Sequence, residues 1–457
     1  MQRSTGMSPT ERRAALSLAS IMATRMLGLF MILPVFALHA QDLPDATPLL
    51  IGLAIGAYGL TQALLQIPFG MASDHFGRKR VITIGLLLFA AGSVVAAMSD
   101  TLTGIIMGRA LQGCGAVAAA VMALTADLTR EEQRTKAMAV IGMSIGSAFA
   151  LALVAGPLLN EMIGVKGIFW LTAVLALGGI AVLWLRVPQP EQCSMHRDAE
   201  LLPGQAGIVL HDKQLLRLDA GILILHTILT ATFVVLPLVL RDELGIAAAH
   251  HSWVYLPILL LSAVAMVPFI IVAERKRRMK PIFVGAVSVL GLSLLALSQW
   301  YTNMSAFVVI LWLFFTAFNF LEASLPSLVS KTAPAEKKGT AMGIYSSSQF
   351  FGAFLGGGVG GWAYGEFGVS GVFIFCAAMV GLWWLLAVSM QAPRYLSNLV
   401  RHLAEDERRS AEVLAGDLRA IGGVREAVVV PEERAVYLKV DSQRLDQAAL
   451  DTCLAGE

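Results

Sequence analysis

Arg25, Arg109, His226 and Glu322 each stand inside a long apolar stretch of the chain. A charge held in hydrocarbon is costly, so each one calls for a reason, and the commonest is a path for protons, ions or substrate. A carboxyl group removed from water can load and release a proton near neutral pH. An imidazole titrates there without help. At ~1.5 Å of rise per residue, Arg25, His226 and Glu322 fall roughly 9–17 Å from the same ends of their stretches, and Arg109 lies nearer the other end. Glu322 reads as the only acid well inside the second half of the chain. A static pair such as Arg25 with Glu322 is the structural alternative. Asn319, one turn before Glu322, and Gln62 and Gln66 add polar groups that suit either a cavity or helix–helix hydrogen bonds.

The elements that position these residues are membrane spans. The chain is 56% hydrophobic and 14% charged, against roughly 25% charged in ordinary soluble proteins. Apolar runs of about 20 residues recur, each enough to cross a ~30 Å hydrocarbon core. Twelve are expected, at 14–38, 49–72, 81–98, 102–128, 136–159, 166–186, 217–240, 252–273, 281–299, 304–328, 339–362 and 370–390. The first is too long for a signal peptide and reads as retained. A net charge of +2 gives no reason to expect a nucleic-acid partner. Cys114, Cys193, Cys376 and Cys453 form no CxxC pair and read as free thiols, so neither a disulfide framework nor a zinc site is expected.

Lys and Arg set the orientation. The loops after even-numbered spans hold Arg78, Lys79, Arg80, then Arg130, Arg134, Lys136, then Arg275 to Arg278 and Lys280, then Lys331, Lys337 and Lys338. The opposite loops hold essentially Lys166 and Arg241. By the positive-inside rule both termini lie in the cytoplasm. Residues 187–216 are polar and read as a linker between a first half, 1–186, and a second half, 217–390. From 391 to 457 the character changes. A helix over 411–421 ends at Gly422-Gly423, two β-rich runs flank 431–434, and Ser442 can cap a last helix. With an edge strand over 395–402 this reads as a small β-α-β-β-α module of ferredoxin type. It resembles heavy-metal-associated domains but lacks their CxxC, so no metal is expected. Arg401, Arg408, Arg409, Arg419 and Arg425 offer it a basic surface for anionic lipid or for solvent.

The halves repeat one another. Pro68-Phe69 recurs as Pro268-Phe269, with Asp74 matching Glu274 and Arg78 matching Arg278. Residues 164–169 (Gly-Val-Lys-Gly-Ile-Phe) recur as 368–373 (Gly-Val-Ser-Gly-Val-Phe). Residues 70–80 read Gly-Met-Ala-Ser-Asp-His-Phe-Gly-Arg-Lys-Arg. This string resembles the loop between helices 2 and 3 of the major facilitator superfamily, with His75 where that family usually has a cation. Residues 109–116, Arg-Ala-Leu-Gln-Gly-Cys-Gly-Ala, resemble its helix 4 motif, associated with proton coupling. Gly142, Gly146 and Gly156-Pro157 in the fifth span match the superfamily's exporter signature in part, with Asn160-Glu161 in place of its final glycines. Over essentially the whole chain the resemblance is to the YajR-type transporters of the twelve-helix drug/proton antiporter family.

The resemblance implies an all-α membrane protein with two six-helix halves, related by a parallel repeat with the substrate site between them, plus the α+β tail. Helices 1, 4, 7 and 10 line the cavity in that fold, which brings Arg25, Arg109, His226 and Glu322 together with Asn319. Asp74, Arg78 and Asp127, with Gly70, Gly77 and Arg134, are expected to latch the first half to the start of helix 11 when the cytoplasmic side is closed. Gly113, Gly115, Gly156 and Pro157 are expected to serve packing. The implied function is not enzymatic. It is export of small, partly apolar compounds from the bacterial inner membrane, driven by protons, without a cofactor, by a monomer in contact with lipid. An importer on the same fold, and a membrane-anchored sensor with the tail as output, stand as alternatives.

Overall fold

The computed structural model describes residues 6–189, 207, 209–334, 337–392, 397–403, 409–431, 434–441 and 444–455. Most of the expected linker lies outside these residues, as do Cys193, Arg408 and Ser442.

Among the described residues ten helices are long and apolar enough to cross a membrane. Two of them, Glu131–Leu185 and Lys338–Val388, would run roughly 77–83 Å at ~1.5 Å per residue, far more than one crossing needs. Each breaks at a single glycine. Gly164 has φ 68° and ψ 174°, and Gly368 has φ 65° and ψ −163°. Left-handed φ is open to glycine at no steric cost. These are the equivalent glycines of the internal repeat, so both halves turn between their fifth and sixth spans by the same device. Twelve spans result.

Helix starts follow from capping. Ser8 and Glu11 form a capping box before Pro9–Phe30, and Thr47, Thr101 and Asn303 each accept from an amide three residues on. Such caps satisfy amides that the first turn leaves unpaired. Two expected spans are interrupted. The first runs Pro9–Phe30, turns through Pro34, and resumes as Phe36–Ala40, because proline offers no amide to continue the ladder. The fourth runs Leu102–Cys114 and Ala118–Asp127. The seventh begins at Lys213, where the Asp212 carboxylate caps Gln214 and Leu215. That is four residues before the expected start.

With an even number of crossings between them, the membrane unit's two ends and the basic loops share one face, here termed the basic face. Spans 2 (Pro48–Phe76) and 11 join the halves. Gly52 lies against Gly357, Gly56 against Phe354, Gly59 against Phe350 and Gly361 against Pro48, all too closely for a Cβ. Ser252 Oγ donates to the Val154 carbonyl (2.7 Å), and Arg241 donates to Gln41 (2.7 Å). Phe149 and Phe318 stack at 6.5 Å. These contacts lie from the middle of the membrane unit outward, away from the basic face.

The tail has strands β1 (Ser397–His402), β2 (Val424–Val430) and β3 (Ala435–Val440), with helices Ala411–Ala420 and Gln447–Ala455. The sheet order is β1-β3-β2, antiparallel throughout. Leu414, Leu418, Val436, Leu438 and Leu450 form its core. Two of the expected surface cations are used inside the module: Arg409 donates to the Cys453 carbonyl (2.6 Å) and Arg419 to the Ala427 carbonyl (3.0 Å). The buried Lys439 of β3 reaches the carbonyls of Lys331 (3.5 Å) and Thr332 (3.4 Å). A cation suits these last carbonyls of span 10 (Met304–Thr332) because the helix dipole is negative there.

Candidate functional site

Spans 7 (Lys213–Leu238) and 11 run parallel, and glycines on span 11 bring them into backbone contact at Leu223/Gly352, Thr227/Gly356 and Ala231/Gly360. Thr227 Oγ1 donates to the Gly352 carbonyl (3.1 Å). This seam fixes His226 of span 7 beside Gln349 of span 11, their nitrogens 2.9 Å apart. Gln349 Nε2 also donates to Glu322 Oε1 of span 10 (3.1 Å). His226 Nδ1 and Glu322 Oε2 stand 3.8 Å apart, and neither has a hydrogen-bond partner. The His226 side chain is 9% exposed and that of Glu322 35%. Phe318, one turn before Glu322, lies 6.4 Å from the His226 ring and stacks on Phe314 at 6.2 Å. A carboxyl, an imidazole and a bridging amide thus meet an aromatic wall at mid-membrane.

Not every expected cavity residue joins this cluster. Arg25 is 2% exposed and is directed into the first half. It donates to Gln62, which donates to Gln66 (3.0 Å), and its guanidinium lies 5.4 Å from the centre of the Phe89 ring. The static Arg25–Glu322 pair is not formed. Arg109, 1% exposed, donates to the span 2 carbonyls of Ala54 (3.2 Å) and Ile55 (3.0 Å) and to Gln112 (3.0 Å). Asn319 donates to Ser262 of span 8 (3.0 Å), a helix–helix hydrogen bond.

Two residues of the second half went unread in the sequence. Gln349 is a polar residue in an apolar run, four places after Tyr345. Asp219 is 6% exposed inside span 7, which corrects the reading of Glu322 as the only acid well inside this half. The expected start at 217 put Asp219 at the span's edge. The Asp212 cap, visible in the sequence, moves it almost two turns inward.

At the basic face Arg78, 3% exposed, bonds Asp74, Asp127 (3.1 Å) and Ser73 (2.9 Å). These bonds stay within the first half, between spans 2, 3 (Arg78–Met98) and 4. Gly77 makes the turn with φ 90°. Gly70 makes no turn: it lies inside span 2, where a Cβ would meet Ala119 at 3.2 Å. Arg134 lies in the first turn of span 5. In the second half Glu274, the counterpart of Asp74, holds Lys331 at 2.6 Å. Both halves therefore tie the ends of two corresponding spans by an ion pair. Lys79 donates to the Val187 carbonyl (2.6 Å), just beyond the end of span 6. Gly113 and Gly115 sit against the Tyr58 and Gly85 carbonyls, and Gly156 against that of Met31. Pro157 follows inside the helix.

The sequence pattern of the Major Facilitator Superfamily matches residues 18–357 and 218–403, and that of the YajR YAM domain matches 405–455. The chain is 47% identical over 437 residues, 96% of each chain, to the inner membrane transport protein YajR of Escherichia coli strain K12. It is 24% identical to the multidrug resistance protein MdtH of Yersinia enterocolitica over 74% of this chain and 84% of that one. A crystal structure of a bacterial homologue of the human lysosomal transporter Spinster superposes with a TM-score of 0.69 at 13% identity, covering 84% of this chain and 98% of that one. The chain therefore belongs to the major facilitator superfamily and carries a YajR-type YAM domain after its twelve spans.

Proposed function

We propose that this protein exports small, partly apolar compounds across the bacterial inner membrane in exchange for protons. Glu322, bridged to His226 through Gln349, is the proton-coupling centre in this reading. The observation that carries it is a carboxyl at mid-membrane that keeps 35% of its side chain accessible and one oxygen unpaired. Protonated, Glu322 is neutral and crosses the closed state at little electrostatic cost. Ionised, it is free to hold the transporter open to substrate. Proton and substrate thus compete for one cavity, and each carries the protein one way through the alternating-access cycle. The aromatic wall of Phe149, Phe314 and Phe318 suits partly apolar cargo.

Both termini are cytoplasmic in this reading, and the close contacts between the halves away from the basic face then fit an inward-facing state. Asp74, Arg78 and Asp127, with Arg134 nearby, form the latch that meets the start of span 11 when the cytoplasmic side closes. Arg25 and Arg109 stiffen the first half against which the second rocks. Export is supported by Gly156-Pro157 in span 5 and by the likeness to a protein named for multidrug resistance. The protein works as a monomer in lipid, uses the proton gradient in place of a cofactor, and catalyses no chemical reaction. The tail regulates or stabilises, so truncation after Ala392 leaves measurable transport. The test is reconstitution into liposomes with a trapped pH-sensitive dye. Under a pH gradient, a panel of partly apolar fluorescent compounds is offered from the face that corresponds to the cytoplasm. Counterflow of protons and at least one compound is expected. Compound movement that ignores the gradient overturns the reading.

A further inference from the structure

Asp219 lies on span 7, seven residues before His226, and therefore on the same helix face two turns nearer the basic face. It is 6% exposed, and its Oδ1 has no hydrogen-bond partner among the described residues. The register of the seam between spans 7 and 11 sets Asp219 beside the turn that holds Tyr345 and Ser348. Tyr345 is 3% exposed, its hydroxyl also lacks a partner, and it interacts electrostatically with both Asp219 and Glu322. Buried polar groups left unpaired are rare in folded proteins and mark sites with work to do. A carboxyl that alternates between neutral and charged forms needs a partner able to accept from one and donate to the other. A tyrosine hydroxyl does both.

We propose that Asp219, paired with Tyr345, is a second proton-binding carboxyl of this transporter, one layer nearer the basic face than Glu322. The assignment rests on the proton-coupled reading of Glu322 and extends it from one titrating acid to two. The groups around Asp219 fit the role. Tyr345 comes from span 11 and interacts with Asp219, His226 stands two turns away on the same span, and Trp383 of span 12 closes the side at Gly221. Toward the basic face, Leu218 borders a cavity of about 240 Å³ lined also by Asp212, Lys331, Glu426 and Lys439. A proton leaving Asp219 passes to water as hydrated proton. The carboxylate left behind then accepts from Tyr345.

Difference infrared spectra of the full-length protein in lipid nanodiscs, recorded across neutral pH, read protonated carboxyls directly by their carbonyl stretch. Two bands are expected in the parent. Glu322→Gln removes one and Asp219→Asn removes the other. Tyr345→Phe, which keeps the packing, shifts the Asp219 band and leaves the Glu322 band in place. If Asp219→Asn retains both bands, or if Tyr345→Phe shifts neither, the second site is wrong while the Glu322 reading survives. If Glu322→Gln removes no band, the proton-coupled reading itself falls.

Discussion

Inside its membrane spans the first half holds the guanidinium groups of Arg25 and Arg109, and the second half holds the carboxyls of Asp219 and Glu322. Arg109 makes three described hydrogen bonds and faces Tyr58 at 5.2 Å. Arg25 is held by a glutamine and an aromatic face. Two nitrogens of the Arg25 guanidinium, like one oxygen each of Glu322 and Asp219, have no hydrogen-bond partner among the described residues. A guanidinium is charged at every physiological pH, so the first half must hold it permanently, for Arg109 with bonds to span 2 and for Arg25 with one bond to Gln62 and the face of Phe89. A carboxyl can exchange its charge. The difference is one of chemistry: the first half carries charge that cannot be given up, and the second half carries charge that can.

Arg109→Ala should break the fixed-charge side most. It removes three charge-assisted bonds and leaves a cavity against span 2, a loss of the order of 2–4 kcal/mol. Thermal unfolding in detergent should show a large drop in Tm, while Glu322→Gln should leave Tm nearly unchanged. Equal drops in the two variants would erase the contrast.

Asp74→Asn should act next, on the balance of states. Loss of the latch charge should favour the inward-facing form by roughly 1–2 kcal/mol, about 5–30-fold in population. Spin-label distances across the cytoplasmic ends of spans 2 and 11 report it, and unaltered distances would refute the latch.

The smallest effect belongs to a charge held at the surface. Asp45 accepts from the amides of Leu102 (2.8 Å) and Thr103 (3.2 Å), and these bonds hold its carboxyl below the usual 3.8. A depressed folded value stabilises above the unfolded one and is lost as pH falls through the folded one. Asp45→Asn should therefore lower Tm slightly at neutral pH, with the gap to the parent closing below pH 3.8. A gap that is constant with pH would assign the effect to shape instead of charge.

Span number and the repeat were legible because they depend on composition and on glycine, which are local. Azimuth was not. Arg25 turns toward Gln62 and Phe89 and not toward Glu322, because a long side chain chooses among neighbours that the sequence does not place. Asp219 was hidden by a helix start misplaced by four residues. Gln349 was overlooked because one amide in an apolar span gives no sign of which helices it bridges. The breaks at Pro34 and Gly115 lie inside apolar runs, where hydropathy alone sees a continuous span.

Proton flux into liposomes carrying Glu322→Gln tests the central claim most directly. With a trapped pH-sensitive dye and a compound that the parent moves, the variant should lose all compound-linked proton flux and all uphill accumulation. Exchange of labelled for unlabelled compound across the same membrane should persist. Accumulation against a gradient by Glu322→Gln at the parent's rate would contradict the account.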